Sequence, residues 1–360
     1  MHIEEEKTAR KTSVGADEGQ PIQITNTSIP QSQMNCNGKV LETKSMAEIY
    51  ETVYLGREPL IEGLLYPGTY HYARAAKLAK RVLIAPLAFH ISMGLEMWGF
   101  TVRQGTVLYL ALEDDYHRLQ ERLYRMFGTD STDNLHFAIS ACDVDNGLDE
   151  QLENFMRQHP DTSLVIIDTL QKIREVGGEK YSYANDYEII ARLKEFADKY
   201  AICLLLVHHT RKQSADDKFD MISGTTGLLG AADGAFLLQK KKRTSNAATL
   251  EVSGRDQQDQ KLRITRNPDT LQWELEETEV NLWQEPPEPI LERIATLFGP
   301  ERNRWVGSAT DLCSKLSLDI RPNVLTMKLN INAGRLLKEY GIYYNTIRTH
   351  HGRTVYLWTE

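Results

Sequence analysis

Three stretches of the chain end an apolar run with residues able to handle a phosphoryl group. "GTVLYLALEDD" (105–115) closes on Glu113, Asp114 and Asp115. "SLVIIDT" (163–169) closes on Asp168 and Thr169. "AICLLLVHHT" (201–210) closes on His208, His209 and Thr210, with Arg211 and Lys212 following. One carboxylate can polarise a water molecule, another can hold a hydrated magnesium ion, and a polar and basic cluster can sit beside them. Phosphoryl transfer asks for those parts, because its catalysis is chiefly positioning and charge neutralisation. A strand that merely meets solvent also ends in polar residues, so one such end says little. Three in a single α/β pattern say more.

The elements that must position these residues follow from periodicity. Apolar runs alternate with amphipathic helical stretches: "YHRLQERLYRMF" (116–127) after the first run, "LDEQLENFMRQH" (148–159) after the short strand "LHFAIS", and "NDYEIIARLKEFADKY" (185–200) before the last. Runs that are apolar at every position, separated by helices, predict a mostly parallel twisted sheet covered on both faces. In such sheets a ligand sits outside the carboxyl ends of the strands, where the three clusters fall. After Asp233 the pattern changes to "GAFLLQ", "AATLEVSG", "KLRITR" and "LQWELEE", which read as short antiparallel strands.

Composition sets the outer bounds. The 360 residues are 41% hydrophobic and 26% charged, with a net charge of −8, which excludes a wholly basic nucleic-acid binder. The four cysteines stand far apart, at 36, 142, 203 and 313, and predict neither a zinc site nor a disulfide framework. The acidic start "MHIEEEK" and the lack of a long apolar run predict a soluble cytoplasmic protein with no membrane partner. Residues 1–44, rich in polar side chains, predict a loosely attached or disordered tail. "SMAEIYETVY" then reads as a helix capped by Ser45. The main α/β domain is expected over 45–282, a proline-rich joint over 283–289 ("WQEPPEP"), and a second small domain over 290–360. Trp98 and Trp273 read as core residues.

The stretches "GTVLYLALEDDYHRLQERL", "SLVIIDTLQKIREV", "LLLVHHTRK", "ISGTTGLLGAADGAFLL" and "SGRDQQDQKLRI" together resemble the RecA-like P-loop ATPases of the RepA type, AAA-family ATPases of plasmids and integrative mobile elements. The resemblance implies a RecA-like fold, ATP and Mg²⁺ as cofactors, and a homo-oligomeric ring. It also implies helicase-like work on DNA in replication or mobilisation of a mobile element. By this resemblance Glu113 orients the attacking water and Asp168 is the Walker B aspartate that serves the metal. His209 is the polar sensor of the γ-phosphate, and Arg255 is an arginine finger offered to a neighbouring subunit. The loop from Ser223 to Gly230 would face a channel for single-stranded DNA.

The phosphate loop departs from that pattern. A G-x-x-x-x-G-K-[S/T] loop lets backbone N–H groups converge on the phosphates while its lysine reaches the outer phosphate oxygens and its hydroxyl serves Mg²⁺. The corresponding stretch is "RAAKLAKR": Arg74, Ala75, Ala76, Lys77, Leu78, Ala79, Lys80 and Arg81. Lys80 falls on the motif lysine, Arg74 and Ala79 replace the two glycines, and Arg81 replaces the hydroxyl. A Cβ at 79 disfavours positive φ and crowds a phosphate, while Arg81 puts a cation where a metal should sit. The alanine-rich stretch favours an early helix start, and Pro86 would then kink that helix. Several outcomes stay open: the four cations still attract nucleotide while hydrolysis is crippled, binding is lost, or an unusual loop still works. A catalytically inactive DNA-binding or regulatory protein on the same fold is the alternative to an ATPase.

Beyond the joint, three helical patterns precede "IYYNTIRTHHGRTVYLWTE", a two-stranded ribbon turning near His351 and Gly352. That order predicts a winged-helix domain. From 288 to 360 there are ten Lys/Arg against seven Asp/Glu, so this part is locally basic. A third helix from about Asn323 to Tyr340 would offer Lys328, Asn330, Asn332, Arg335 and Lys338 to duplex DNA, and the ribbon Arg348, His350, His351 and Arg353. A protein-contact module is the plainer alternative.

Overall fold

The computed structural model describes residues 43–74, 83–174, 183–209, 231–240, 245–255, 257–278, 286–299, 303–349 and 352–360, with 183–186, 209, 348, 349 and 352 described in backbone only. The expected tail, apart from its last two residues, falls outside these. So do the loop residues 75–82, Thr210 to Gly230 and the ribbon turn at His350 and His351.

The chain enters through helix α1 (Met46–Glu51), whose Ser45 cap and Glu48 form a reciprocal capping box. Nine strands then build one sheet: β1 (Gly68–Arg74), β2 (Thr106–Ala111), β3 (Leu135–Ala138), β4 (Thr162–Asp168), β5 (Cys203–His209), β6 (Gly234–Gln239), β7 (Ala247–Gly254), β8 (Gln257–Arg266) and β9 (Trp273–Thr278). Their order across the sheet is β3-β2-β4-β5-β1-β6-β7-β8-β9. The pairings from β3 to β6 are all parallel, and those from β6 to β9 are antiparallel. The sequence expectation therefore needs one correction: "GAFLLQ" is a parallel neighbour of β1, and the antiparallel part begins only with β7. β1, β2 and β4 are buried at every position, as strands covered on both faces must be.

Helices α2 (Ile84–Met93), α3 (Tyr116–Phe127), α4 (Leu148–Gln158) and α5 (Tyr183–Tyr200) supply the covers. The side chains of Leu87, Ile91, Leu119 and Met126 join one face of the sheet, together with Tyr72, Tyr109, Ile166 and Val207. Leu152, Met156, Ile190 and Leu193 join the other, with Leu108, Val165, Ile167 and Leu206. Trp273 is buried in the first core and Trp98 packs against it, as expected. Pro86 is the third residue of α2 and does not kink it. The first turn has no intrahelical acceptor for that N–H, so proline loses nothing there. Gly94 ends α2 in the left-handed region at φ +68, where a Cβ would also press on Gln104 at 3.0 Å. The architecture is thus a mixed α/β fold with a large, mainly parallel sheet flanked by helices.

A second core follows the joint. It contains α6 (Pro289–Ala295), β10 (Arg304–Ser308), α7 (Ala309–Lys315), α8 (Pro322–Ile331), α9 (Ala333–Tyr340), β11 (Tyr343–Thr349) and β12 (Gly352–Trp358). The expected single helix from 323 to 340 is two helices parted at Asn332, whose φ of −99 and ψ of 15 leave the helical region. The expected two-stranded ribbon is a three-stranded sheet in the order β10-β12-β11. Val53, just after α1, packs into this core with Leu325, Leu329, Leu336 and Val355.

Candidate active site

Register fixes where the chemistry-bearing ends lie. Arg74, at the end of β1, is level with His209 at the end of β5. Ala111, at the end of β2, is level with Asp168 at the end of β4, and Ile167 of β4 is level with Leu206 of β5. All four strands run the same way, so Glu113, Asp168, the His209 backbone and Arg74 share one rim of the sheet. Thr169 Oγ1 lies 3.4 Å from Glu113 Oε1, tying the turn after β2 to the end of β4. The acids are held separately: Asp115 caps α3 by accepting from the Arg118 N–H at 2.9 Å, and Asp114 pairs with Arg122 at 2.7 Å. Of the three acids after β2, Glu113 is the one in contact with Thr169 by the 3.4 Å bond.

Alternation along the strands adds a buried polar cluster. Tyr72, Arg74, Tyr109 and Asp168 share the parity of the residues that face α2 and α3, and all four are almost wholly buried. Tyr109 donates its hydroxyl to Asp168 Oδ2 at 3.1 Å. Burial pushes the Tyr72 phenol far above its ordinary pKa, the Arg74 charge draws it down, and Asp168 pushes it up. Tyr72 therefore feels both the guanidinium and the carboxylate. The sequence reading missed both tyrosines; the shared signal was a tyrosine two positions before the strand end, in an aliphatic run for Tyr109 and in the mixed run "GTYHYAR" for Tyr72. Arg74 is 1% exposed. A guanidinium is thus built into the protein interior at the end of β1. This half of the site does not fit a divalent ion, because Asp168 is fully enclosed and bonded to a phenol.

The remaining predicted residues fall elsewhere. Ala75, Ala76, Lys77, Leu78, Ala79, Lys80 and Arg81 lie outside the described residues, as does the loop Ser223 to Gly230. Arg255 follows β7, which runs against β6, so it sits at the amino end of β1 rather than the carboxyl end. There its N–H donates to the Asp233 carbonyl at 2.8 Å, and its guanidinium stands 3.9 Å from the Asp233 carboxylate. Asp233 is also bonded to Lys194 and to the Thr69 N–H. Arg255 lies about three residues, roughly 10 Å, from the level of Asp168 along the strands, and four strands, roughly 19 Å, across the sheet from it. Arg255 is 57% exposed and borders an open groove of about 410 Å³ with Tyr187, Arg192, Glu195 and Asp198.

In the C-terminal core, Asn330 is buried, accepting from the Tyr344 hydroxyl at 2.8 Å and donating to the Tyr50 carbonyl at 2.9 Å. It is unavailable to DNA, contrary to the sequence expectation. Lys328 pairs with Glu288 at 3.1 Å, Arg335 with Glu339 at 2.7 Å, Lys338 with Glu62, and Arg353 with Glu51 at 2.9 Å. The side chain of Arg348 lies outside the described residues.

Residues 54–215 match the AAA domain family. Among solved structures, an ATPase domain is similar at 13% identity and a TM-score of 0.49, over 59% of this chain and 85% of that one. A KaiC-like protein from the hyperthermophilic archaeon Pyrococcus horikoshii is similar at 12% identity and a TM-score of 0.46, over 62% of this chain and 100% of the other. A DnaB-like replicative helicase is similar at 14% and 0.47, over 58% of this chain and 59% of the helicase chain. No curated protein matches the chain. No helix among the described residues is long and apolar enough to cross a membrane.

Proposed function

We propose that the chain is a RecA-fold nucleotide-binding protein of the RepA type that acts on DNA, with ATP hydrolysis impaired by its phosphate loop. The observation that carries this reading is the gathering of Glu113, Asp168 and the end of β5 on one rim, inside the stretch that matches the AAA domain family. In it Glu113 orients a water and Asp168 lies beneath the phosphates. His209 senses the terminal phosphate, and the cations of the loop from Arg74 to Arg81 attract the nucleotide. The exposed Arg255, four strands from β4 and at the amino end of β1, supports service to a neighbouring subunit in a homo-oligomeric ring. Single-stranded DNA would pass the loop 223–230. Duplex would meet the C-terminal core, read as a winged helix, through Lys328, Arg335, Lys338, Arg348 and Arg353. Replication or mobilisation of a mobile element is the setting this suggests.

The enclosed Arg74, whose charge and that of Asp168 both act on Tyr72, favours a second reading, a catalytically silent DNA-binding or regulatory protein. Nucleotide binding and turnover by the purified chain, beside a variant carrying Arg74→Gly, Ala79→Gly and Arg81→Ser, separate the two. The first reading expects binding by both proteins and much faster turnover by the variant. Equal turnover removes the impaired loop, and absent binding by the unaltered chain leaves the silent protein.

A further inference from the structure

Three cations from distant parts of the chain meet without a counter-ion among the described residues. Lys240 follows β6, Arg266 ends β8 and Arg125 lies in the last turn of α3. Lys240 stands over the Trp273 ring, 5.1 Å from its centroid, and bonds only a carbonyl, that of Ser245 at 2.9 Å. Arg125 donates to the carbonyls of Asp269 and Pro268, at 3.0 and 2.9 Å. Arg266 has a buried Nε with no acceptor. Among the described residues no carboxylate pairs with any of the three, whereas Arg57, Arg122, Arg192, Lys194, Lys199, Arg263, Lys328, Lys338 and Arg353 all have one. Burial pushes the pKa of Lys240 down and the Arg266 charge pushes it further; burial and then Arg125 do the same to Arg266. Lys240 and Arg266 are half-buried and Arg125 is exposed beside them; half-buried cations that repel one another and lack an acid cost the fold stability, and a chain with more acids than bases could have supplied one.

We infer that Lys240, Arg266 and Arg125 form a binding site for a phosphate-bearing polyanion, on the sheet face that carries α2 and α3. The parities of Phe236 and Leu238 on β6, and of Leu262 and Ile264 on β8, put Lys240 and Arg266 on that face. Trp273 holds the lysine stem, so the charge is positioned rather than free to sweep. Guanidinium forks suit phosphate oxygens, and a row of cations suits a ligand with successive charges. The sequence continues from Lys240 into Lys241, Lys242 and Arg243. None of the three site residues belongs to the nucleotide reading above.

The test is thermal unfolding of the full chain with sodium tripolyphosphate and with an oligothymidylate, for the unaltered protein and for Lys240→Gln with Arg266→Gln. The unaltered protein should gain Tm with at least one ligand. The double variant should melt no lower than the parent when unliganded, since repulsion is gone, and should gain less Tm than the parent with the same ligand. Its affinity for the oligothymidylate, read by anisotropy, should fall less steeply with salt, by about 1.4 in log–log slope for two lost contacts. A gain with the oligothymidylate alone identifies nucleic acid, and a gain with tripolyphosphate alone identifies a free polyphosphate. A second variant, Lys77→Gln with Lys80→Gln, should keep the response and so separate this site from the loop. The proposal falls if neither ligand acts, if the double variant responds like the parent, or if only the loop variant loses the response. It also falls if the unliganded double variant, and Arg266→Lys beside it, melt well below the parent, since the cations would then be structural covers of Trp273.

Discussion

The Tyr109 hydroxyl and Asp168 Oδ2 meet at 3.1 Å across adjacent parallel strands, with both residues at or below 1% exposure. Tyr109 therefore positions the carboxylate on which the proposed site depends. Replacing Tyr109 by Phe removes the donor and keeps the ring in the core. A buried acceptor that loses a hydrogen bond costs about 1–3 kcal/mol, so Tyr109→Phe should lower the unfolding free energy by that amount, read as a lower urea midpoint at unchanged slope. A shift below about 0.3 kcal/mol, well under a typical hydrogen bond, would show that the carboxylate does not depend on this phenol.

Asn330 joins three elements: α8, which carries it, the strand of Tyr344, and the end of α1 at Tyr50. Asn330→Ala leaves a buried hydroxyl and a backbone carbonyl without this partner. The expected loss is about 1–3 kcal/mol in the C-terminal core, with amide exchange in α1 accelerating in parallel. Unchanged exchange in α1 would mean that Val53 alone holds the segment in place.

His136 and His159 lie with ring centroids 4.3 Å apart, and Phe155 stacks on His159 at 4.4 Å. Burial, and then the charge of His159, pushes His136 below its ordinary pKa; Asp133 and Asp161 act the other way. The folded state thus binds fewer protons than the unfolded chain. Stability should be unaffected above the unfolded histidine value, about 6.5, and should fall as pH drops below it. Stability against urea at pH 7.5 and pH 5.5 checks this, and His159→Gln should reduce the dependence. An equal dependence in that variant would assign it to other groups.

Much of this site was legible because the strands announce themselves. Leu164–Ile167 and Cys203–Val207 are apolar at every position, and the polar residue ending each run falls on the rim for that reason. Direction was not legible: "GAFLLQ" is equally apolar read either way, and its pairing with β1 decides it. The expected early helix start over the alanine-rich stretch lies outside the described residues, and the described helix α2 begins at Ile84. Asn332 parts two helices through backbone angles that the surrounding helical period conceals. Tyr109 passed as one more apolar residue, since only tertiary structure sets its hydroxyl against Asp168. Lys240, Arg266 and Arg125 carry no shared pattern at all; sheet order and α3 packing bring them together.

Two acids near the amino terminus occupy cations that the proposed duplex contact requires. Glu51 ends α1 and binds Arg353 on β12 at 2.9 Å, while Glu62 binds Lys338 on α9. Such pairs are partly solvated and contribute modestly to stability, so Glu51→Gln with Glu62→Gln should cost less than about 1 kcal/mol. Their larger effect is on binding, because a phosphate need no longer displace a carboxylate to reach either cation. The double variant should bind a short duplex about threefold more tightly at low salt, with a steeper salt dependence as two more cations reach phosphates. Anisotropy titrations of labelled duplex at 50 and 200 mM salt measure both quantities. Identical affinity and slope in the parent and the variant would remove Lys338 and Arg353 from the duplex contact and leave the C-terminal core as a protein-binding module.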